Sequence, residues 1–204
     1  MLQDALNKGY CRVRFQQAKP LLDRDLNLLA DLTSSERFAK LSIGDGVLEG
    51  DDGFRISNLN VSTNDFNIDP GICLVNGRMA ILPGATTYQT QPFPDNVESL
   101  PAGACNIYLH IFITEIDAIQ DPDLQNTDDV GFETTVREKV NWEVIVSVPP
   151  IIDNDYYLLA QLDTTTSVIN DQRLTGLSLA RIKAEIDSAR GSTNNLSDRL
   201  NMSL

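Results

Sequence analysis

Asn106–Ile116 reads NIYLHIFITEI, and this stretch decides the fold. Ile107, Leu109, Ile111 and Ile113 fall on one side of an extended chain, with Tyr108, His110 and Phe112 on the other. The period of two and the β-branched and aromatic content predict a strand. Both faces are largely apolar, which places that strand in the middle of a sheet. A polar connection, Asp117–Gly131, follows. Val140–Val148, VNWEVIVSV, is the expected antiparallel partner across it, and Tyr156–Leu162 is one more strand.

Upstream, Gly44-Asp45-Gly46 and Gly50-Asp51-Asp52-Gly53 punctuate short apolar runs, as in β structure. Phe54–Ile56, Leu59–Val61 and Thr86–Thr90 read as short strands, and Asp69-Pro70-Gly71 as a turn. Ile72–Val75 and Arg78–Leu82 flank Asn76-Gly77. That dipeptide suits a type I′ hairpin, whose two central residues both need positive φ.

The two ends differ from this β-rich centre. Residues 1–10 read as a flexible or docking arm, and Cys11, Val13 and Phe15 alternate with Arg12 and Arg14 as in a half-buried strand. Pro20 is expected to open a leucine-rich helix running to about Lys40, with Asp23 and Asp25 in its first turn. Leu22, Leu26, Leu29 and Leu32 would share a face, widened by Leu21 and Leu28. In the tail, Leu179, Ile182, Ile186 and Ala189 have the 3-4-3 spacing of a coiled-coil seam. A seam this short would serve only to extend an oligomer already assembled. The expected organisation is an arm and anchoring helix over 1–42, a β-rich domain over 43–173 and a helical stalk over 174–204. The fold class is mainly β (α+β), an antiparallel sandwich or barrel flanked by helices.

The chain has 204 residues, a net charge of −13 and a pI near 4.3. That balance argues against nucleic acid or an anionic membrane as partner, because phosphates call for Lys and Arg. Cys11, Cys73 and Cys105 are far apart and form no CxxC or Cys/His cluster, so they read as buried thiols of a protein made in a reducing compartment. The N-terminus has no apolar core of a secretory signal, and no run approaches the roughly 20 apolar residues of a bilayer span. His110 is the sole histidine, in a central strand, and reads as a core or interface residue. No nucleophile elbow, P-loop or GxGxxG occurs. The acids of Asp117–Asp129 lack EF-hand spacing and read as a solvated loop. Trp142 reads as a core residue and Tyr156-Tyr157 as a packed pair. No catalytic residue, cofactor or metal is expected.

Four blocks resemble phage tail-fibre and baseplate proteins, a family shared with contractile injection systems. In FQQAKPLLDRDLN, the residues Phe15, Gln16, Gln17, Leu21, Leu22, Asp23, Asp25, Leu26 and Asn27 match a pattern "F-Q-Q-G-R" leading to "L-L-D-x-D-L-N-E". Ala18, Lys19 and Leu28 depart from it, standing where Gly, Arg and Glu are usual. Pro70, Gly71, Val75, Gly77 and Arg78 match an "I-x-P-G-x-A-x-V-x-G-R" hairpin. Tyr108, Leu109, Glu115, Ala118, Asp121, Pro122, Leu124, Thr135, Arg137, Trp142 and Val144 match a third block, with Phe112 where Trp is usual. The fourth, YYLLAQLDTTTSVINDQR with EIDSARGSTNNLSDRL, is similar to sequences near fibre shafts.

The resemblance implies a non-enzymatic structural virion protein, made in the host cytoplasm and placed in the tail baseplate or fibre. It would be a homotrimeric adaptor linking baseplate wedge to other tail-fibre proteins. The expected baseplate-anchoring residues are Phe15, Leu21, Leu22, Leu26 and Leu29; the expected oligomer interface is Leu179, Ile182, Ile186 and Ala189. Arg173, Arg181, Arg190 and Arg199 would be solvated or would pair between subunits with Asp171, Glu185, Asp187 or Asp198. Alternatives are a glycan-binding receptor module or a baseplate component of an extracellular injection system. Deleting Met1–Leu32 is expected to separate adaptor from receptor module: an adaptor would be lost from particles with its β-domain intact, and a receptor module would keep glycan binding.

Overall fold

The computed structural model describes residues 2–43, 45–48, 52–93, 97–125, 132–173 and 175–176. The chain is mainly antiparallel β, with few helices. Its central pair is β8 (Ala104–Ile116) and β9 (Thr135–Ser147), registered antiparallel from Asn106↔Ser147 to Ile116↔Arg137. On the far side of β8 lie β10 (Tyr156–Asp163) and then β11 (Val168–Asp171); on the far side of β9 lies β1 (Tyr10–Phe15). The expected central strand and its partner are therefore both present.

β9 begins five residues earlier than its apolar pattern suggests, because Arg137, Glu138 and Lys139 interrupt that pattern. Arg137 and Glu138 are nonetheless buried, at 6% exposure each. Each has an opposite charge: Asp25 for Arg137, and Arg12 (3.3 Å) with Arg14 (2.5 Å) for Glu138. Buried charges are tolerated on such terms.

The hairpin at Asn76-Gly77 forms as read. β5 (Gly71–Val75) pairs with β6 (Arg78–Leu82), and φ is +49° at Asn76 and +71° at Gly77. β5 also pairs with β2 (Gly46–Leu48), which in turn takes β12 (Thr175–Gly176) as a parallel neighbour. A third, smaller sheet joins β3 (Ile56–Asn60), β4 (Asp65–Ile68) and β7 (Thr86–Thr87).

One core joins the sheets. Phe54, Phe66, Ile68, Cys73, Ile107, Leu109 and Leu159 are each at most 1% exposed within it. Trp142 bridges the layers: its ring meets Phe54 edge-on at 5.1 Å, and its Nε1–H donates to Ile81 O at 3.1 Å. Phe54 holds a left-handed φ of +56°, an unusual conformation for a bulky residue. Complete burial of its ring, worth about 2–3 kcal/mol, offsets that strain. Gln91 finishes a stretch of β9 that β1 does not reach. Its amide donates to Val144 O at 2.9 Å and accepts from Val144 N–H at 2.6 Å, as a neighbouring strand would.

The N-terminal segment packs on the same β structure. Residues 2–7, read as an arm, form α1 (Leu2–Asn7). α2 spans Asp23–Ile43, so it starts three residues after Pro20, and Leu22 O accepts from the N–H groups of Asp25 and Leu26. Ala5, Tyr10, Val13, Leu28 and Leu32 make a second, smaller core, with Leu6, Phe15, Leu29 and Ile116 against it. The inward stripe of α2 is thus Asp25, Leu28 and Leu32, a 3-4 spacing, not the expected stripe through Leu26.

Cys73 and Cys105 are buried, Cys11 is half-buried, and none is in a disulfide. Burial raises the Cys105 thiol and pushes that of Cys73 up to about 12, so neither is a ready thiolate. Among the described residues no helix is long and apolar enough to cross a membrane.

Candidate functional site

The residues of the first and third resembling blocks meet at the start of α2. Asp25, in the helix's first turn, is 1% exposed. Its Oδ1 accepts from Arg137 Nη2 at 2.7 Å, and its Oδ2 from Thr134 Oγ1 at 3.1 Å. Arg137 Nη1 also donates to Thr135 Oγ1. Thr134 is fully buried and Thr135 is 2% exposed. A charge pair this dry, with hydrogen bonds on both partners, holds geometry more than it adds stability.

The connection before α2 follows the same partner. Gln16 N–H donates to Thr134 O at 3.4 Å, and Gln16 Nε2 to Glu133 Oε1. Glu133 Oε2 accepts from Ala118 N–H, which ties the β8–β9 connection in as well. Lys19 Nζ sits 4.6 Å above the Phe132 ring. The turn closes with Lys19 N–H on Gln16 O at 3.4 Å, and it needs a φ of +61° at Ala18. This is the position where the resembling pattern carries Gly, the residue that takes such a φ without strain.

A second clamp holds α1. Lys8 Nζ contacts Asp121 Oδ2 at 2.9 Å and Asp123 Oδ2 at 2.7 Å, and the Tyr10 hydroxyl donates to Asp121. Asp121 caps the 3-10 turn Pro122–Leu124, accepting from Asp123 N–H at 3.2 Å. Burial alone would raise the Asp121 pKa; the hydrogen bonds from Tyr10 and Lys8 outweigh it and hold the carboxyl below its ordinary value. Bonding to Asp123 and Asp121 raises Lys8, and burial followed by the bond to Asp121 raises Tyr10. Part of the loop read as solvated acid is therefore engaged in ion pairs: the Asp121 side chain is 13% exposed, while that of Asp123 stays 80% exposed. The two clamps share a cleft of about 130 Å³ lined by residues that include Lys8, Tyr10, Asp25, Asp121 and Arg137.

The expected anchoring residues divide. Leu21 and Leu26 are exposed, at 63% and 43%. Leu22 is half-buried, while Phe15 and Leu29 pack onto the chain's own small core. Leu179, Ile182, Ile186 and Ala189 lie outside the described residues. Arg173 pairs within its own chain, with Asp171 Oδ2 at 2.6 Å and Gly53 O at 2.8 Å. His110 stands in the central strand but on the side away from the main core, 2.7 Å from Glu143 Oε1.

Sequence reasoning missed the pairing of Asp25 with Arg137 and of Lys8 with Asp121 and Asp123. A signal for the first existed. An acid three residues before Leu28 and seven before Leu32 falls on the inward stripe, and an inward acid requires a basic partner. Among the described residues, no group of three or more His, Cys, Asp or Glu side chains could hold a metal ion. No family model, curated protein or solved structure matches the chain.

Proposed function

We propose that the chain is a structural virion protein, a tail-fibre or baseplate adaptor acting by homotrimeric assembly. The same reading covers the equivalent part of a contractile injection system. The observation that carries it is the convergence of two resembling blocks on one buried clamp, Asp25–Arg137. Such a clamp fixes the angle at which α2 leaves the β structure, as an adaptor's anchoring element requires. Leu21 and Leu26, exposed beside that clamp, are the groups left for a neighbouring subunit. Residues 174–204 would supply the trimeric stalk, placing the protein in the tail of the particle.

Deletion of Met1–Leu32 is a poor test, because it would strip β1 from β9. The better pair of measurements leaves the fold whole. Light scattering of the full chain and of a chain ending at Gly176 should give a trimer that weakens on truncation. A Leu21→Asp/Leu26→Asp variant should fold and trimerise yet be lost from assembled particles. A monomer in both forms, or a variant that still enters particles, would overturn the proposal.

A further inference from the structure

β9 has one gap along the edge that faces β1. Val140 N–H donates to Gly9 O at 2.9 Å, and Gln91 holds both main-chain groups of Val144. Alternate residues of a strand turn their N–H and C=O to the same edge, so those of Trp142, midway between, point there too. The opposite edge agrees: Ile111, registered across from Trp142, sends its N–H away to Asp155 O at 3.0 Å. Among the described residues nothing meets the main-chain N–H or C=O of Trp142, although the residue is only 7% exposed. Buried main-chain groups are almost always paired.

A cleft of about 230 Å³ opens on this gap. Residues 139–142 of β9 all line it, so it runs along the strand's edge rather than over one face. Gly9 borders it at the Val140 end, and Pro92, next to Gln91, at the Val144 end. Pro83 and Phe93 add apolar wall. Asn141, 5% exposed and also on the cleft, gives an amide hydrogen to Thr114 Oγ1 at 2.7 Å and leaves its Oδ1 unmet among the described residues.

The gap is one residue long, which decides what fills it. A strand added to the edge would lie along Val140 and Val144 as well, and Gly9 and Gln91 already stand there. A secondary amide holds its C=O and N–H trans, on opposite sides, and reaches only one of the two Trp142 groups. A primary carboxamide offers both side by side, as Gln91 does on Val144 two residues along. We propose that the slot takes the side-chain carboxamide of an Asn or Gln of a partner protein, entering end-on, its C=O on Trp142 N–H and its N–H on Trp142 O. Asn141 Oδ1 is a spare acceptor for the second amide hydrogen, and Pro83 and Phe93 suit the apolar stem. Filling the slot pairs two buried groups, whereas a carboxylate in the same place would set an oxygen against Trp142 O. The inference goes beyond the adaptor role and stands without it.

The test is two-dimensional amide NMR of the full, isotope-labelled chain, titrated with acetyl-glutamine methylamide, with its glutamate and norleucine counterparts, and with free glutamine. The glutamine compound should move the Trp142 main-chain amide saturably and slow its hydrogen exchange, with Val144 left in place. The glutamate and norleucine compounds should do neither. Phe93→Ala should weaken binding about four-fold, the apolar contact of roughly one CH2 group. Ile152→Ala, at a position 98% exposed and off the cleft, should leave it unchanged. The same spectra report that each variant is folded. No saturable shift at Trp142 would leave water as the occupant and overturn the site. So would equal shifts with all three compounds, which mark a cavity without preference for an amide. Trp142 and Val144 moving together would mean an added strand that displaces Gln91, and tighter binding of free glutamine would mean a small-molecule site; either overturns a partner side chain as the occupant.

Discussion

Arg137→Met is the sharpest perturbation of the clamp. The Arg137 and Asp25 side chains are 7% and 2% exposed, so the variant leaves a buried carboxylate without its charge partner, with the Thr134 hydroxyl still on its Oδ2. Breaking one side of a buried pair costs about 3–5 kcal/mol. Against a total stability of roughly 5–15 kcal/mol this is severe. In a chain of this size each kcal/mol moves the midpoint by about 2–4 °C, so Tm should fall by roughly 6–20 °C. Thermal unfolding followed by the single tryptophan, Trp142, is the assay. Asp25→Leu/Arg137→Met should recover most of the loss, because a packed apolar pair often replaces a buried ion pair at little cost. The cycle should give a coupling of about 2 kcal/mol or more. A single variant within about 1 kcal/mol of the parent, or a double whose loss is the sum of the singles, would refute the clamp.

Three further outcomes follow from the same structure. Asp121 has a lowered pKa when folded, so its contribution is present above the ordinary carboxylate value and lost as pH falls through the folded one; Lys8→Met should flatten that acid limb in urea titrations between about pH 5 and 2. Ala18→Gly should raise stability by about 0.5–1 kcal/mol, relief of left-handed strain less the added backbone entropy, read as a higher urea midpoint with unchanged slope. Gln91→Leu should cost about 1–3 kcal/mol, since it orphans the buried N–H and C=O of Val144, and hydrogen exchange at Val144 should quicken.

The sequence showed the strand at 106–116 and the hairpin around Asn76-Gly77 because both obey local rules: period two for one, positive φ for the other. It concealed the start of β9, since Arg137 and Glu138 look solvated until Asp25, Arg12 and Arg14 are brought to them. The inward face of α2 was misjudged for a related reason. Of the four leucines expected to share a face, Leu32 is inward, Leu22 and Leu29 are half-buried and Leu26 is exposed; Leu28, expected to widen that face, completes the inward stripe with Asp25 and Leu32. The resembling blocks include Asp25, Asp121, Thr135 and Arg137 without grouping them, and contacts between residues about a hundred positions apart leave no periodic trace. Lys8 lay in no block, and its bond to Asp121 depends on α1 folding.

The parallel pairing of β12 with β2 has a mechanical consequence. If tension were applied between residues 2 and 176, the chain would be loaded very unevenly. At the C-terminal end, among the described residues, two registered pairs, Thr175↔Val47 and Gly176↔Leu48, join β12 to the sheet, backed by Arg173 on Gly53 O. At the N-terminal end, five registered pairs of β1 on β9 share the load with the Lys8 and Asp25 clamps. Strain would therefore be relieved by peeling β12 before the N-terminal grip is disturbed. The short strand would act as a compliant coupling in series with a stiff one, yielding first and reseating once the pull is gone.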